Sequence, residues 1–440
     1  MNDLSIGVIS LGCSKNRVDT ENMLFLIKET GANIVEDVNE ADIVIINTCG
    51  FIEEAKQESI NTILTVSRLK KKKLKALIVT GCLSGRYKEE LAKELPEVDA
   101  FLGVSNYMQI GEAIKQVLDK KRFVSFEDTD DKLDHSKRVI TTPANYAYIK
   151  IAEGCNNCCS YCAIPIIRGP LKSRTIEDIV NEAKQLINDG IKELILIAQD
   201  TTRYGEDIYD KPCLSKLIRE IAKIKGDFWI RILYSYPDKI DRELIDTIIS
   251  EEKVCKYLDI PVQHLCDEIL FKMNRKGNFD TIKNAVDLIR RASDDFVIRT
   301  TLISGFPGES ESQHEKMLQR VEELKFDRLG VFAYSQEEGT RAAKLEGQLA
   351  NSIKQRRVDE IMQLQIDISY QKNLKRVGKT YKVLVEGIKD NEIFYGRSYA
   401  EAPEVDGKIF FAAGKDVKIG EFIEVLITAA EIYDLVGAKI

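Results

Sequence analysis

The sequence predicts a multidomain α/β protein: an N-terminal parallel α/β sheet domain, a central partial (β/α)6 barrel and a small C-terminal β-barrel. Three observations predict it. Apolar, β-rich runs alternate with helical stretches through most of the chain, which is the signature of parallel sheets joined by crossover helices. The alternation is interrupted once, by a polar stretch at 121–143. After Gly378 the texture changes to short strands split by Gly and charged turns.

The first 120 residues repeat a unit about 35 residues long, in which a strand-like run ends in a cysteine and a helix follows. The runs are Ile6–Leu11 before Cys13, Ile43–Ile46 before Cys49, and Ala76–Thr80 before Cys82. Each has the composition of a buried parallel strand. Met23, Leu24, Leu26 and Ile27 have helical spacing, and Gly31 is the expected C-cap. Residues 121–143 read as a linker or an exposed excursion. Candidate strands of the central region are Tyr146–Ala152, Glu193–Ala198, Phe228–Tyr234, Tyr257–Val262, Phe296–Ile303 and Leu329–Tyr334. Helices are expected at Ile176–Asp189, Leu214–Ile224, Arg242–Ile249, Asp280–Ala292, Glu311–Leu324 and Asn351–Leu374. Six units fit a barrel open at one side, since eight need about 250 residues. The domains are therefore expected at 1–120, 144–373 and 374–440, with 121–143 between the first two.

Composition narrows the function. The chain has 440 residues, 44% hydrophobic and 31% charged, which excludes a disordered or fibrous class. No apolar run approaches the roughly 20 residues of a membrane helix, and the N-terminus has no basic start, so a cytosolic protein is expected. The net charge of −7 argues against coating nucleic acid by bulk charge. Ten cysteines in such a protein point to metal or redox chemistry. His135, His264 and His314 are the only histidines, too few for an imidazole-rich zinc site or a His-based triad.

The densest signal is Cys155, Cys159 and Cys162, a CxxxCxxC loop after the first strand of the central region. Three thiolates on one loop suit three irons of a 4Fe–4S cluster and leave the fourth iron open. Zinc is the alternative, with Cys158 as fourth ligand; the adjacency of Cys158 and Cys159 argues against it, because neighbouring side chains converge on one ion only under strain. Cys13, Cys49 and Cys82 are far apart in sequence, yet each follows a parallel strand. All strands of a parallel sheet end on one edge, where ligands gather. The bland reading is three buried free thiols. Cys213, Cys255 and Cys266 share no spacing and are expected to be structural.

SLGCSKNRVDTE, NTCGFIEEAKQESI, GCLSGRY and CNNCCSYCAIPIIRGPLKSR resemble the radical S-adenosylmethionine (SAM) methylthiotransferases, and the C-terminal strands resemble a TRAM domain, an OB-like barrel. SLGCSKNRVDTE and GRSYAEAPEVDG look most like the branch that acts on the twelfth protein of the small ribosomal subunit. Cys158 departs from the pattern, where a polar or charged residue is more common. The resemblance implies two 4Fe–4S clusters, one on Cys155, Cys159 and Cys162 that cleaves SAM to a 5′-deoxyadenosyl radical, and an auxiliary one on Cys13, Cys49 and Cys82 that presents sulfur. It implies a methylthio group added to the β-carbon of an aspartate, and an external electron donor. Gly305 and Gly308 are expected to face SAM, although a Gly/Pro helix-capping turn explains them equally. Gln199, Arg231 and Arg299 lie near strand ends and are expected to hold its carboxylate and ribose, with structural ion pairs the rival for the arginines. No general acid or base is assigned. His264 reads as structural, and Lys70–Lys73 as a solvated helix end.

Residues Leu374–Ile440 carry ten Lys/Arg against eleven Asp/Glu, whereas a domain gripping RNA should be basic. This favours a basic ribosomal protein as substrate and leaves RNA contact secondary. Two rivals stand beside this expectation. One is the branch that methylthiolates an adenosine beside the tRNA anticodon; the other is a non-catalytic iron–sulfur carrier.

Overall fold

A computed structural model describes residues 4–127, 135, 137–143, 145–390, 392–414 and 417–440. The chain divides into two compact units. The first comprises residues 1–141, 153–172 and 335–340, and the second 142–152, 173–334 and 341–440. The CxxxCxxC loop thus belongs to the same unit as the N-terminal sheet.

In the first unit six parallel strands lie in the order Asn33–Val35, Ser5–Ser10, Ile43–Thr48, Ala76–Gly81, Ala100–Leu102, Phe123–Ser125. The two central strands, IVIINT and ALIVTG, are buried at every position. Alternation assigns their side chains to two cores. Ile43, Ile45 and Ile78 pack with Met23, Ile27, Ile110 and Ile114 on one face. Val44, Ile46, Leu77 and Val79 pack with Ile63, Val66 and Leu91 on the other. Each such side chain contributes about 1.5–3 kcal/mol by leaving water. Gly31, with φ +80°, follows the helix Ser14–Glu29 as expected of a C-cap.

The polar stretch at 121–143 differs from expectation. Phe123–Ser125 is the sixth strand of the sheet. Farther on, Arg138 donates to Glu21 at 2.9 Å, and the Thr141 backbone N–H donates to the same carboxylate at 2.8 Å. A buried glutamate on the first helix therefore ties down what composition presents as linker. Residues 128–134 and 136 lie outside the described set. The three-residue strands at 33–35, 100–102 and 123–125 are too short to show a period in sequence.

The second unit contains six parallel strands paired in chain order, from Tyr146–Lys150 through Glu193–Ile197, Trp229–Ile232, Val254–Asp259 and Val297–Ser304 to Arg328–Ala333. This is the expected open six-unit arrangement, with strand bounds shifted by one to three residues. Five further strands close a barrel around Val383, Val385, Phe394, Ile409, Phe411, Val425 and Ile427.

Buried ion pairs join this barrel to the parallel sheet. Glu193 receives Arg231 at 2.5 Å and Arg397 at 2.6 Å. Glu401 is bonded by Arg376, by Arg328 at 3.1 Å and by the Ser398 hydroxyl at 2.7 Å. The single tryptophan, Trp229, packs on Phe422 at 4.7 Å between ring centres, so its fluorescence reports this junction.

Burial alone would raise the Glu401 carboxyl, but Arg376 and Arg328 more than offset it and hold the pKa at about 2. A depressed carboxylate stabilises the fold fully above its unfolded pKa of about 4.3, and this contribution disappears as pH falls through its folded value. The difference is on the order of 3 kcal/mol. Denaturant unfolding followed by Trp229 emission is therefore expected to weaken steeply below about pH 4.5. Glu401→Gln, already less stable near neutrality, should flatten that fall; an unaltered slope would contradict the assignment.

Candidate functional site: the cysteine edge of the first unit

The strand order of the first unit reverses between Ser5–Ser10 and Ile43–Thr48. In a doubly wound sheet that reversal opens a crevice at the carboxyl edge. Cys13 and Cys49 leave the two strands that border it, and Cys82 leaves the next strand over. The turns are made by glycine. Gly12 has φ +88°, and a Cβ there would lie 2.9 Å from Cys49 Cβ and 3.0 Å from its Sγ. Gly81 has φ +96°, and its Cβ would fall 2.3 Å from Asn47 Oδ1. Only glycine lets these loops approach so closely.

Each cysteine is fixed differently. Cys13 is the N-cap of the helix Ser14–Glu29. Cys49 donates its backbone N–H to Ser59 Oγ at 3.0 Å, and that hydroxyl returns a bond to Cys49 O at 2.9 Å. Cys82 opens the helix Cys82–Glu94, and its Sγ lies 3.4 Å from Asn16 Oδ1. Two of the thiols therefore stand at helix N-termini, where the dipole favours the thiolate.

Their electrostatics couple them. Burial pushes the Cys82 thiol up to about 11, with Cys13 and Cys49 adding to the rise and Arg168 opposing it. Burial and Cys13 also raise Cys49. For Cys13, desolvation is outweighed by Lys15 and Arg168, and its pKa falls below the usual thiol value.

Arg168 is the residue that sequence reasoning missed. Its side chain is 1% exposed. Nη1 donates to Glu153 at 2.8 and 2.9 Å, and Nη2 reaches Asn16 Oδ1 at 2.5 Å, Asp19 at 3.1 Å and Cys82 Sγ at 3.4 Å. The available signal was its place six residues after Cys162 and the spacing of Asn16 and Asp19 on the helix that Cys13 caps. A second ion network lies behind Gly50. Arg86 donates to Gly50 O at 2.8 Å and to Glu337 at 2.9 Å, and Lys56 lies 3.2 Å from Glu337.

The Cys155–Cys162 loop closes on its own downstream segment. Gly154, with φ +66°, has no room for a side chain, because a Cβ would sit 2.0 Å from Pro170 O. Cys155 N–H donates to Gly169 O at 3.1 Å, and Leu171 N–H to Asn156 Oδ1 at 3.0 Å. The sulfurs of Cys155 and Cys162 accept backbone N–H bonds from Asn157 and Ile164, at 3.3 and 3.4 Å. Cys158 is exposed, and its Sγ lies 3.8 Å from Asn156 O. Among the described residues no three His, Cys, Asp or Glu side chains are gathered so as to hold a metal ion. A groove of about 880 Å³ beside the helix Glu53–Ser67 contains none of these thiols.

The other expected site residues lie in the second unit. Gln199 is half-buried just past Glu193–Ile197. Arg231 and Arg299 have other partners than those expected. Arg231 is fully buried, bonded to Glu193 and to the carbonyls of Tyr399 and Ser398 at 2.7 and 3.4 Å. Arg299 pairs with Asp259 at 2.7 Å and faces Asp406 at 3.7 Å. Both arginines are engaged in ion pairs: their carboxylates Glu193 and Asp259 lie on neighbouring strands of the same sheet, and Ser398, Tyr399 and Asp406 of the C-terminal segment add further contacts. Gly305 N–H and Phe306 N–H bond Glu309 at 2.7 and 3.0 Å, and Gly308 N–H bonds Gly347 O at 2.8 Å. His264 is buried, with Nδ1 accepting Cys266 N–H at 2.9 Å. Lys70 pairs with Asp99 at 2.6 Å, and Lys75, just before the strand Ala76–Gly81, with Asp42 at 3.1 Å.

Three family models match the chain: the uncharacterized protein family UPF0004 over residues 5–103, the radical SAM superfamily over 149–321 and the TRAM domain over 377–440. The ribosomal protein uS12 methylthiotransferase RimO of Thermoanaerobacter sp. (strain X514) is 50% identical over 434 residues, covering 98% of this chain and 99% of that protein. The protein of the same name from Acetivibrio thermocellus is 49% identical, covering 99% and 98%. The chain belongs to the ribosomal protein uS12 methylthiotransferase family. In fold, this uS12 methylthiotransferase family member is similar to the radical SAM methyltransferase TsrM of Kitasatospora setae, with a TM-score of 0.56 at 14% identity over 76% of this chain and 75% of that one. Among the described residues no helix is long and apolar enough to cross a membrane.

The geometry orders the reactivity of the metal-free thiols. Cys13 is exposed and its thiolate favoured, whereas Cys82 is buried and its thiol disfavoured. Iodoacetamide at about pH 8, near the usual cysteine pKa, should alkylate Cys13 much faster than Cys82, as read by peptide mass spectrometry. Equal rates would contradict the described edge.

Proposed function

We propose that this chain methylthiolates the β-carbon of an aspartate in ribosomal protein uS12, using two 4Fe–4S clusters and SAM. The observation that carries the reading is that Cys13, Cys49 and Cys82 each follow a strand at the same carboxyl edge of one parallel sheet, in the same compact unit as the Cys155–Cys162 loop. The relatives that share nearly the whole chain at about half identity bear the uS12 methylthiotransferase name. On this reading residues 1–120, joined by the strand Phe123–Ser125, carry the auxiliary cluster, 144–373 form the radical SAM core and 374–440 the TRAM domain.

The donor sets fit the groups. Each trio is all thiol, which suits iron–sulfur clusters. The glycines beside Cys13, Cys49 and Cys82 let the loops that carry these thiols approach to distances at which a Cβ would clash. N–H bonds to the sulfurs of Cys155 and Cys162 are the kind that stabilise cluster thiolates, while Cys158 is turned to a carbonyl and serves as the spare thiol. When bound, the clusters and SAM supply one-electron cleavage and sulfur delivery, which side chains by themselves do not. Gln199, Gly305 and Gly308 are the proposed SAM contacts. The N–H groups of the two glycines are engaged within the chain, and the Gly308 carbonyl accepts from Lys272 at 3.5 Å. Arg231 and Arg299 are withdrawn from that set. An external electron donor completes the system, and the balanced charge of the C-terminal barrel favours a basic protein over RNA as target.

Anaerobically reconstituted protein, given SAM, a reductant and either purified uS12 or tRNA, should place the methylthio mass increment on a uS12 aspartate. Label appearing only in tRNA would overturn the substrate. A second measurement tests the cluster count. The triple variant Cys13→Ala/Cys49→Ala/Cys82→Ala should lose roughly half its iron. It should still release 5′-deoxyadenosine from SAM but no longer methylthiolate. Replacing Cys155, Cys159 and Cys162 should stop both activities. Iron content unaffected by the first triple variant would refute an auxiliary cluster.

A further inference from the structure

We propose that Arg168 is a positioning residue that ties the two cysteine sets together, anchoring the auxiliary cluster at Cys82 and raising its reduction potential. This rests on the reading that Cys13, Cys49 and Cys82 hold a cluster.

A guanidinium carries its donors in one rigid plane. Nη1 is taken by both oxygens of Glu153, two residues before Cys155. Nη2 points the other way, to Asn16 Oδ1, Asp19 Oδ2 and Cys82 Sγ. One buried cation thus spans from the start of the CxxxCxxC loop to a thiol of the other trio. Asp19 and Glu153 alone would complete an ordinary buried ion pair. The thiol goes beyond that need.

The amide beside it is not free to turn. Asn16 Nδ2 donates to Leu11 O at 3.0 Å and to Thr48 O at 2.9 Å, the carbonyls of the chain leading into Cys13 and Cys49. That fixes Oδ1 toward Arg168 and Cys82, so the guanidinium is held in place by backbone on the sheet side and by a carboxylate on the loop side. Arg168 itself ends the short helix Ile164–Arg168, six residues after Cys162. The same segment packs Ala163 and Ile167 in one apolar cluster with Cys82, and Arg168 adds the polar contact to its sulfur.

A reduced cluster carries one more negative charge than an oxidised one. A cation hydrogen-bonded to a cluster sulfur in a buried site favours the reduced form, because neither solvent nor salt screens it there. Arg168 is enclosed enough for that effect to count.

The test uses the full chain carrying Cys155→Ala, Cys159→Ala and Cys162→Ala, so that the auxiliary cluster is the one observed. Dithionite titration under anaerobic conditions, followed by electron paramagnetic resonance, gives its midpoint potential. Arg168→Gln should shift the midpoint to more negative values, and Arg168→Lys, which keeps the charge, should recover part of the shift. An unchanged midpoint in Arg168→Gln overturns the proposal. If Arg168→Gln loses the cluster, retention of iron by Arg168→Lys supports anchoring by the cation, and equal loss from both overturns it. Absence of a cluster when Arg168 is intact instead refutes the two-cluster reading itself.

Discussion

In a parallel sheet every strand delivers its carboxyl end to the same edge, and a reversal of strand order leaves a crevice between loops that depart in opposite directions. The strands Ser5–Ser10 and Ile43–Thr48 are neighbours across such a reversal. Cys13 and Cys49 follow them directly, and Cys82 follows the adjoining strand. Three residues separated by more than thirty positions each are brought together without any local motif. The glycines at 12 and 81 adopt positive φ and keep side chains out of the space between the loops. Every later inference about the site depends on this edge.

The two units use buried arginine in contrasting ways. Arg231 and Arg397 share Glu193, Arg397 also pairs with Glu386, and their other donors are directed at backbone carbonyls. Such a network is closed: each charge has its partner, and removing one leaves another stranded at a cost of several kcal/mol, about 3–5. Its effect is to seat the C-terminal barrel on the parallel sheet. Arg168 has two carboxylates of its own, yet its fork also reaches a thiol. Arg86 is intermediate, pairing with Glu337 and bonding the carbonyl of Gly50 next to Cys49.

The elements most legible in the sequence were those whose pattern is local. Buried strands such as IVIINT announce themselves by composition, and the helices Glu311–Leu324 and Asn351–Leu374 coincide with their expected bounds. The three-residue strands could not be seen, because three residues carry no period. The stretch at 121–143 misled because its charge suggested solvent, while Arg138 and Thr141 meet a glutamate more than a hundred residues away. Arg231 and Arg299 misled for the same reason. Their place on strands was readable, but their partners were not: Glu193 and Asp259 sit on neighbouring strands, and Tyr399 and Asp406 reach them from the C-terminal segment.

By itself, then, the sequence determined the alternation of strand and helix, the cysteine positions and the spacing of the CxxxCxxC loop, since these depend on neighbours a few residues apart. Tertiary structure alone decided that this loop packs into the N-terminal unit, that Arg168 joins Glu153 to Cys82, and that the strand arginines are spoken for. Those outcomes depend on which buried charges and thiols meet across long stretches of chain, and burial makes such meetings strong without leaving any periodic trace in the order of residues.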